Sequence, residues 1–385
     1  MNTLILIPGS RELEYSFHSD HSCLYRGTEY SYGGHTAQDV AFAARLVKVT
    51  LSGKVHTNAP QVIVMRMMHG GDEFAGPVRF DEMVRERLER LVPFLPSRIP
   101  VEMHLLDSLA SVYPAVPIVL FFETSFFLGL RAAEFLYGIP AELSNESLLR
   151  RYGLHGIYHQ RTSQYVSQEL LRRTQSRRPR MLSICLEHKP ELAAILGTRP
   201  VMSTGGASAL EGLPGQHICG DLDPGVILHL TRRLDWAPEK LADVLTNSSG
   251  LSALANREVT LSEVLSSTDP GLLLARDVFR YRLLQACGAG IAGLHGIDAI
   301  GYSGRFAASA PVLHAWLVNH LPPSVRKALK VAEPLVVTQN LPSILVDSVR
   351  NYIESEVTLG STSPAERAAR SALANSSNGG THVHD

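Results

Sequence analysis

The chain has 385 residues, 45% apolar and 19% charged, and its 36 Lys and Arg against 37 Asp and Glu leave a formal charge of −1. That length carries about two to three domains with well-filled cores, and a charge so near zero gathers no polyanion, which argues against nucleic acid or an acidic membrane as partner. Cys23, Cys185, Cys219 and Cys287 lie far apart without a C-x-x-C pair, as expected of a reduced cytoplasmic protein rather than a disulfide framework. The opening residues lack a basic segment and a long apolar run, so export is not expected. The longest apolar stretch, residues 115–122, is interrupted by Pro117 and falls far short of the roughly 20 residues that cross a bilayer.

Taken in order, β-branched and apolar runs predict strands over 3–7, 61–67, 117–122, 181–186, 297–302 and 334–338. Apolar residues recurring every three or four positions predict helices over 38–48, 80–92, 127–138, 163–174, 224–233, 238–245, 270–294, 310–321 and 341–356. The alternation argues for an α/β architecture. From residue 360 the composition turns to Ser, Ala, Asn and Gly, predicting a disordered tail over 360–385. No short repeat appears, although strands cluster in both halves.

Three segments carry unusual chemistry. Arg66-Met67-Met68-His69-Gly70-Gly71 ends a predicted strand, where paired glycines permit a sharp turn and Arg66 can clamp a carboxylate or phosphate. Taken alone, it is also what a strand-ending turn beside an arginine looks like. Arg150-Arg151-Tyr152-Gly153-Leu154-His155-Gly156-Ile157-Tyr158-His159 places two histidines four apart, but a zinc site needs a third ligand. His155, flanked by glycines, is suited to donate to an anion, or simply to fill a turn. Leu210 to Gly225 is Gly-rich and leads through Asp221-Leu222-Asp223-Pro224 into a helix, so Asp221 or Asp223 caps it or holds Mg²⁺. His18-Ser19-Asp20-His21-Ser22-Cys23 and His382-Val383-His384-Asp385 read as a polar loop and a tail rather than metal sites.

Their order along the chain resembles the acetokinase family, the acetate and propionate kinases. Thr3 to Ser10 is similar to the family's first strand and Gly-Ser turn, and Arg66 to Gly71 to its Arg-Val-Val-His-Gly-Gly element. Phe122-Glu123-Thr124-Ser125-Phe126 resembles Phe-Asp-Thr-Ala-Phe, and Arg150 to His159 resembles Arg-Arg-Tyr-Gly-Phe-His-Gly-Thr-Ser-His. Leu210-Glu211-Gly212-Leu213, Gly220 to Pro224 and Leu294 to Ala299 follow in the family's order.

The resemblance implies a two-domain acetate and sugar kinase/Hsp70/actin-like (ribonuclease H-like) fold, divided into 1–125 plus 340–358 and 126–339, and a homodimer. It implies a reaction of ATP with a short-chain carboxylate, acetate or propionate, to give ADP and an acyl phosphate, with Mg²⁺. By position, Arg66, Glu123 and His155 would be catalytic, Arg66, Met68 and Leu154 would meet the substrate, and Gly220, Asp221 and Gly304 would meet the nucleotide. No metal-ligating residue is assigned.

Departures from the pattern fall on the nucleotide side. The family's metal-side Asn is Ile7, and its His-Leu-Gly-Asn-Gly-Ser-Ser phosphate loop is Cys185-Leu186-Glu187-His188-Lys189-Pro190-Glu191. Glycine exposes N–H groups to phosphate, whereas Pro190 has none and the glutamates repel it. The family's second arginine is Ile218, its Gly-rich nucleotide loop carries Arg305 and Phe306, and its Asn-Glu-Glu is Asn340-Leu341-Pro342. These losses predict weakened or absent turnover, with a pseudokinase, an anion-binding or regulatory protein, as the alternative.

Overall fold

The computed structural model describes residues 1–9, 12–34, 36–54, 59–93, 98–146 and 149–360. The expected tail therefore lies, from 361 onward, outside the described residues.

Two sheets organise the chain. The first contains β1 (Asn2–Pro8), β2 (Leu13–Ser19), β3 (Ser22–Glu29), β4 (Val62–Met67), β5 (Val78–Arg79) and β6 (Ile118–Phe122), in the order β3-β2-β1-β4-β6-β5. The second contains β7 (Arg180–Cys185), β8 (Glu191–Leu196), β9 (Arg199–Ser203), β10 (Ala299–Ser303) and β11 (Leu335–Val336), in the order β11-β10-β7-β8-β9. In each, an antiparallel three-strand meander leads into parallel strands, β1-β4-β6 in one and β7-β10-β11 in the other.

Side-chain alternation decides what each sheet face meets. Leu4, Leu6, Ile63, Met65, Met67 and Leu120 pack against α1 (Ala37–Lys54), α2 (Glu82–Glu89) and α3 (Ile99–Val112). The intervening Ile5, Val62, Val64, Val119 and Phe121 turn the other way. After the short helices α4 (Ala132–Phe135) and α5 (Ala141–Glu146), the long α6 (Gly156–Thr174) runs between the sheets. Its Ile157 and Tyr158 join the first sheet's inner face, while Val166 and Leu170 pack under Met181, Ala193 and Ala299 of the second.

Next come α7 (Pro224–Leu234), α8 (Pro238–Asn247), α9 (Gly250–Ala255), α10 (Leu261–Ser266), α11 (Leu273–Gly293), α12 (Ala310–His320) and α13 (Pro323–Ala328). Of these, α9 to α12 cover the second sheet's outer face. The final α14 (Leu341–Gly360) returns to the first sheet, setting Ile344, Leu345 and Val349 against Ile5 and Val64.

Several expectations are corrected. The helix expected over 127–138 is a 3-10 turn, Glu123–Gly129, followed by four-residue α4, because Leu130 adopts an extended conformation between them. The expected strand over 334–338 shrinks to two residues, since among the described residues only β10 borders it. The helix expected to start at 163 begins at Gly156. Strands β2, β3, β8 and β9 were not anticipated, nor was α3, whose Pro100 sits harmlessly in its first turn. The polar segment 18–23 spans the β2–β3 turn, with His18 buried against Ser16 and Asp20 holding the Met1 amine. Among the described residues, no group of three or more His, Cys, Asp or Glu gathers as around a metal ion, and no helix is long and apolar enough to cross a membrane.

Candidate active site

The alternation that builds the first sheet also aims its charges. Arg66 shares a face with Val62 and Val64, and in the β4–β6 register it lies opposite Phe121, two residues before Glu123. Both charged groups therefore emerge past the inner apolar face, toward α6. Arg66 is 9% exposed; Nη2 donates to the Pro8 carbonyl at 3.3 Å and Nη1 to Met68 Sδ at 3.4 Å. Among the described residues its Nε makes no hydrogen bond, and Glu123 Oε1 stands 3.9 Å away. Burial lowers the Arg66 pKa against the opposing pull of Glu123, and burial raises that of Glu123 against Arg66 and His155. A buried guanidinium whose carboxylate partner stands this far off keeps charge with which to bind an anion.

Glu123 also ties this wall to α6. Its Oε2 accepts from the Ile157 N–H at 3.1 Å, and Gly156 lies so close to the Glu123 carbonyl that a Cβ there would overlap it. Gly153 is required twice over: its φ is +74°, and a Cβ would strike the Phe127 ring. These glycines press the segment carrying Leu154 and His155 onto the first sheet. His155 caps α6 through position rather than side chain, and its Nε2 lies 2.8 Å from the Lys189 carbonyl. The structure thus brings Arg66, Met68, Glu123, Leu154 and His155 to one site.

The nucleotide-side residues are engaged differently. Asp221 Oδ1 accepts from Gly212 N at 2.6 Å, and its own N–H donates to Gly212 O at 2.8 Å, closing the loop on itself. Gly220, with φ +74°, permits that closure. Asp223 caps α7 by accepting from Gly225 N at 2.7 Å. Gly304 (φ +97°) lets the turn after β10 press against Leu186.

Residues that the sequence did not single out as functional complete the picture. Glu191 shares the α6-facing side of β8 with Ala193 and Ile195; its carboxylate accepts from Leu154 N at 2.8 Å and lies 3.3 Å from His159 Nε2. His159 Nδ1 is 2.8 Å from Ser183 Oγ, so the second histidine of the 155/159 pair is buried in this cluster. Lys189 is also buried, with Nζ donating to the Leu213 carbonyl, and burial pushes its pKa down to about 8. Arg98 donates to Pro8 O at 2.6 Å, to Gly9 O at 2.8 Å and to Glu102 at 2.9 Å. Two arginines thus converge on the turn after β1. The strand alternation of β8 was the one sequence signal that could have exposed Glu191.

In the segment after β7, Glu187 accepts from Arg305 N at 2.7 Å, the Lys189 amine donates to the Leu213 carbonyl, and Pro190 has no N–H to offer an anion.

Comparisons with known proteins bear on the family and the fold. The chain is 32% identical over 266 residues to an acetate kinase of Nitrobacter hamburgensis, covering 68% of this chain and 64% of that one. It is 30% identical over 279 residues to an acetate kinase of Pseudomonas aeruginosa, covering 72% and 69%. Matches to such relatives span about two thirds of their length. The fold superposes on the crystal structure of Porphyromonas gingivalis acetate kinase with a TM-score of 0.74 at 19% identity, covering 91% of this chain and 99% of that one. A propionate kinase from Francisella tularensis gives 0.73 at 18%, covering 90% and 98%. The two sheets accordingly form the two-domain actin-like fold. Residues 26–322 match the acetokinase family, and the chain belongs to it.

Proposed function

We propose that the chain binds a short-chain carboxylate or its acyl phosphate against Arg66, and that the family reaction, ATP plus carboxylate to ADP plus acyl phosphate, runs weakly or not at all. The observation that carries this reading is the contrast between the two sides of the site. Arg66 is buried with its Nε turned toward Glu123 at 3.9 Å and, among the described residues, not hydrogen-bonded, while the loop expected to hold phosphates carries Glu187, Lys189 and Pro190. Arg66 would pair with the anion, His155 would face its developing charge, and Glu123 would orient both. Met68 and Leu154 would enclose the acyl group. Binding at Gly220, Asp221 and Gly304 is the weakest part of the nucleotide side, because Asp221 already serves its own loop. ATP and Mg²⁺ belong to the family reaction.

Calorimetric titration of the purified protein with acetyl phosphate tests the binding, with Arg66→Ala abolishing it. Absence of binding to the wild-type chain overturns the reading. A second reading, retained kinase turnover, is favoured by the presence together of Arg66, Glu123 and His155. Incubation with ATP, Mg²⁺ and acetate under hydroxylamine trapping separates the two: acyl hydroxamate above a His155→Ala control establishes turnover, and its absence supports a pseudokinase. The same reading carries a homodimer in the cytoplasm, and two domains at 1–125 plus 340–358 and 126–339. Support for that division is the return of α14 to the first sheet; sedimentation reads the dimer.

A further inference from the structure

Arg305, in the turn after β10, joins the two sheets. Its backbone N–H donates to Glu187 Oε1 at 2.7 Å, and its Nε stands 3.5 Å from Glu187 Oε2. Its Nη2 donates to Glu14 Oε1 at 3.0 Å. Glu187 follows β7 in the second sheet, whereas Glu14 belongs to β2 in the first. One guanidinium therefore holds a carboxylate from each sheet, on the two sides of the cleft that separates the domains of an actin-like fold.

The two arms are unequal. Around Glu187 the attachment is local and redundant: Phe306 N donates to Leu186 O at 2.9 Å, Leu186 N donates to Ser303 O at 2.8 Å, and the Phe306 ring meets His188 edge-on at 5.3 Å. The segment carrying Arg305 thus moves with the loop carrying Glu187. The Glu14 arm is the part that parts if the sheets separate.

We infer that Glu14, Arg305 and Glu187 form a latch that biases the cleft toward closure over Arg66 in the ligand-free protein. Side-chain exposures of 48% for Arg305, 32% for Glu14 and 13% for Glu187 make it a salt-sensitive bias rather than a lock. A bias of that size suits an equilibrium that a ligand must be able to shift. The inference does not rest on the proposed function, because closure is read without any carboxylate or nucleotide.

The test measures hydrogen exchange over residues 153–158 and the X-ray scattering radius of gyration of the full chain, without ligand, for wild type, Glu14→Gln, Arg305→Ala and the double variant. Each single variant is expected to raise exchange severalfold and enlarge the radius, and the double variant to do no more than either single one, because all break one contact. Wild type in 1 M NaCl is expected to behave like Arg305→Ala, at a screening length of about 3 Å. Arg257→Ala, whose partners Asp269 and Glu263 lie outside the cleft, serves as the unaffected control. Unchanged exchange in Glu14→Gln, or additive effects in the double variant, overturns the latch. Glu14→Gln leaves the Glu187 attachment intact, so it remains decisive if Arg305→Ala folds poorly.

Discussion

Glu191 Oε1 lies 3.3 Å from His159 Nε2, with both side chains sealed from water between α6 and the second sheet. Burial alone would raise the Glu191 pKa; the proximity of His159 and His155 and the hydrogen bond from Leu154 N outweigh it and keep the carboxylate ionised. Truncating one member of such a cluster strands the others without partners. Glu191→Ala should cost about 3 kcal/mol in urea unfolding. A cost below about 0.5 kcal/mol would mean that the cluster adds nothing to the fold.

Gly156 is the hinge on which the His155 segment meets the first sheet. Alanine there places a Cβ inside the space of the Glu123 carbonyl, where backbone cannot swing away as a long side chain could. Gly156→Ala should destabilise by about 3 kcal/mol and break the Ile157–Glu123 hydrogen bond. Thermal unfolding checks the first effect, and loss of acetyl phosphate binding in still-folded protein checks the second.

Removal of the Arg66 charge leaves Glu123 as a buried carboxylate without its cation. Burial already raises the Glu123 pKa, and loss of Arg66 raises it further. The folded state then binds a proton more tightly than the unfolded chain, so the deficit is largest at neutral pH and recovers as pH falls toward the unfolded carboxylate value. Arg66→Met should cost about 3 kcal/mol at pH 7.5 and markedly less at pH 5. A deficit independent of pH would place the cost in packing instead.

His69 titrates with the opposite consequence. Gly71 N donates to its Nδ1 at 2.9 Å, leaving the ring its proton on Nε2 and no acceptor for a second. Burial, helped by Arg150, pushes its pKa down to about 4. Above the unfolded value near 6.5 the ring is neutral in both states. As pH falls from there toward 4, the unfolded chain takes up a proton that the folded one refuses, and stability is lost by about 3 kcal/mol in full. His69→Gln, whose amide oxygen can still accept from Gly71, should flatten the stability profile in that window relative to wild type.

The parallel strands and the long helices are legible in the sequence because strands covered on both faces read as unbroken apolar runs and the helices keep a 3.6-residue apolar period. Strand β2 does carry a period-2 pattern, Leu13, Tyr15 and Phe17 alternating with Glu14, Ser16 and His18, that the apolar-run reading passes over, whereas β3 at the sheet edge has no such alternation across Ser22, Cys23, Leu24, Tyr25 and Arg26. The site was legible where chemistry and backbone coincide, as at Arg66 beside Gly70 and His155 between Gly153 and Gly156. Glu191 and Lys189 were read as losses from a phosphate loop. Their positive role, one carboxylate gripping Leu154 and one amine gripping Leu213, depends on partners distant in the chain that no local pattern reveals.

In both sheets the residues that hold the layers together lie within the strands, while Arg66, Glu123, Glu187 and Arg305 stand at or beyond strand ends. Reactivity and cohesion are therefore assigned to different addresses along the same strands. Rewriting residues 187–190 and 304–306 toward glycine-rich loops would leave the strands themselves unaltered but release the Lys189 bond to Leu213 and the Phe306 packing on the second core, so phosphate recognition can be reinstalled on this scaffold only where those two props are replaced.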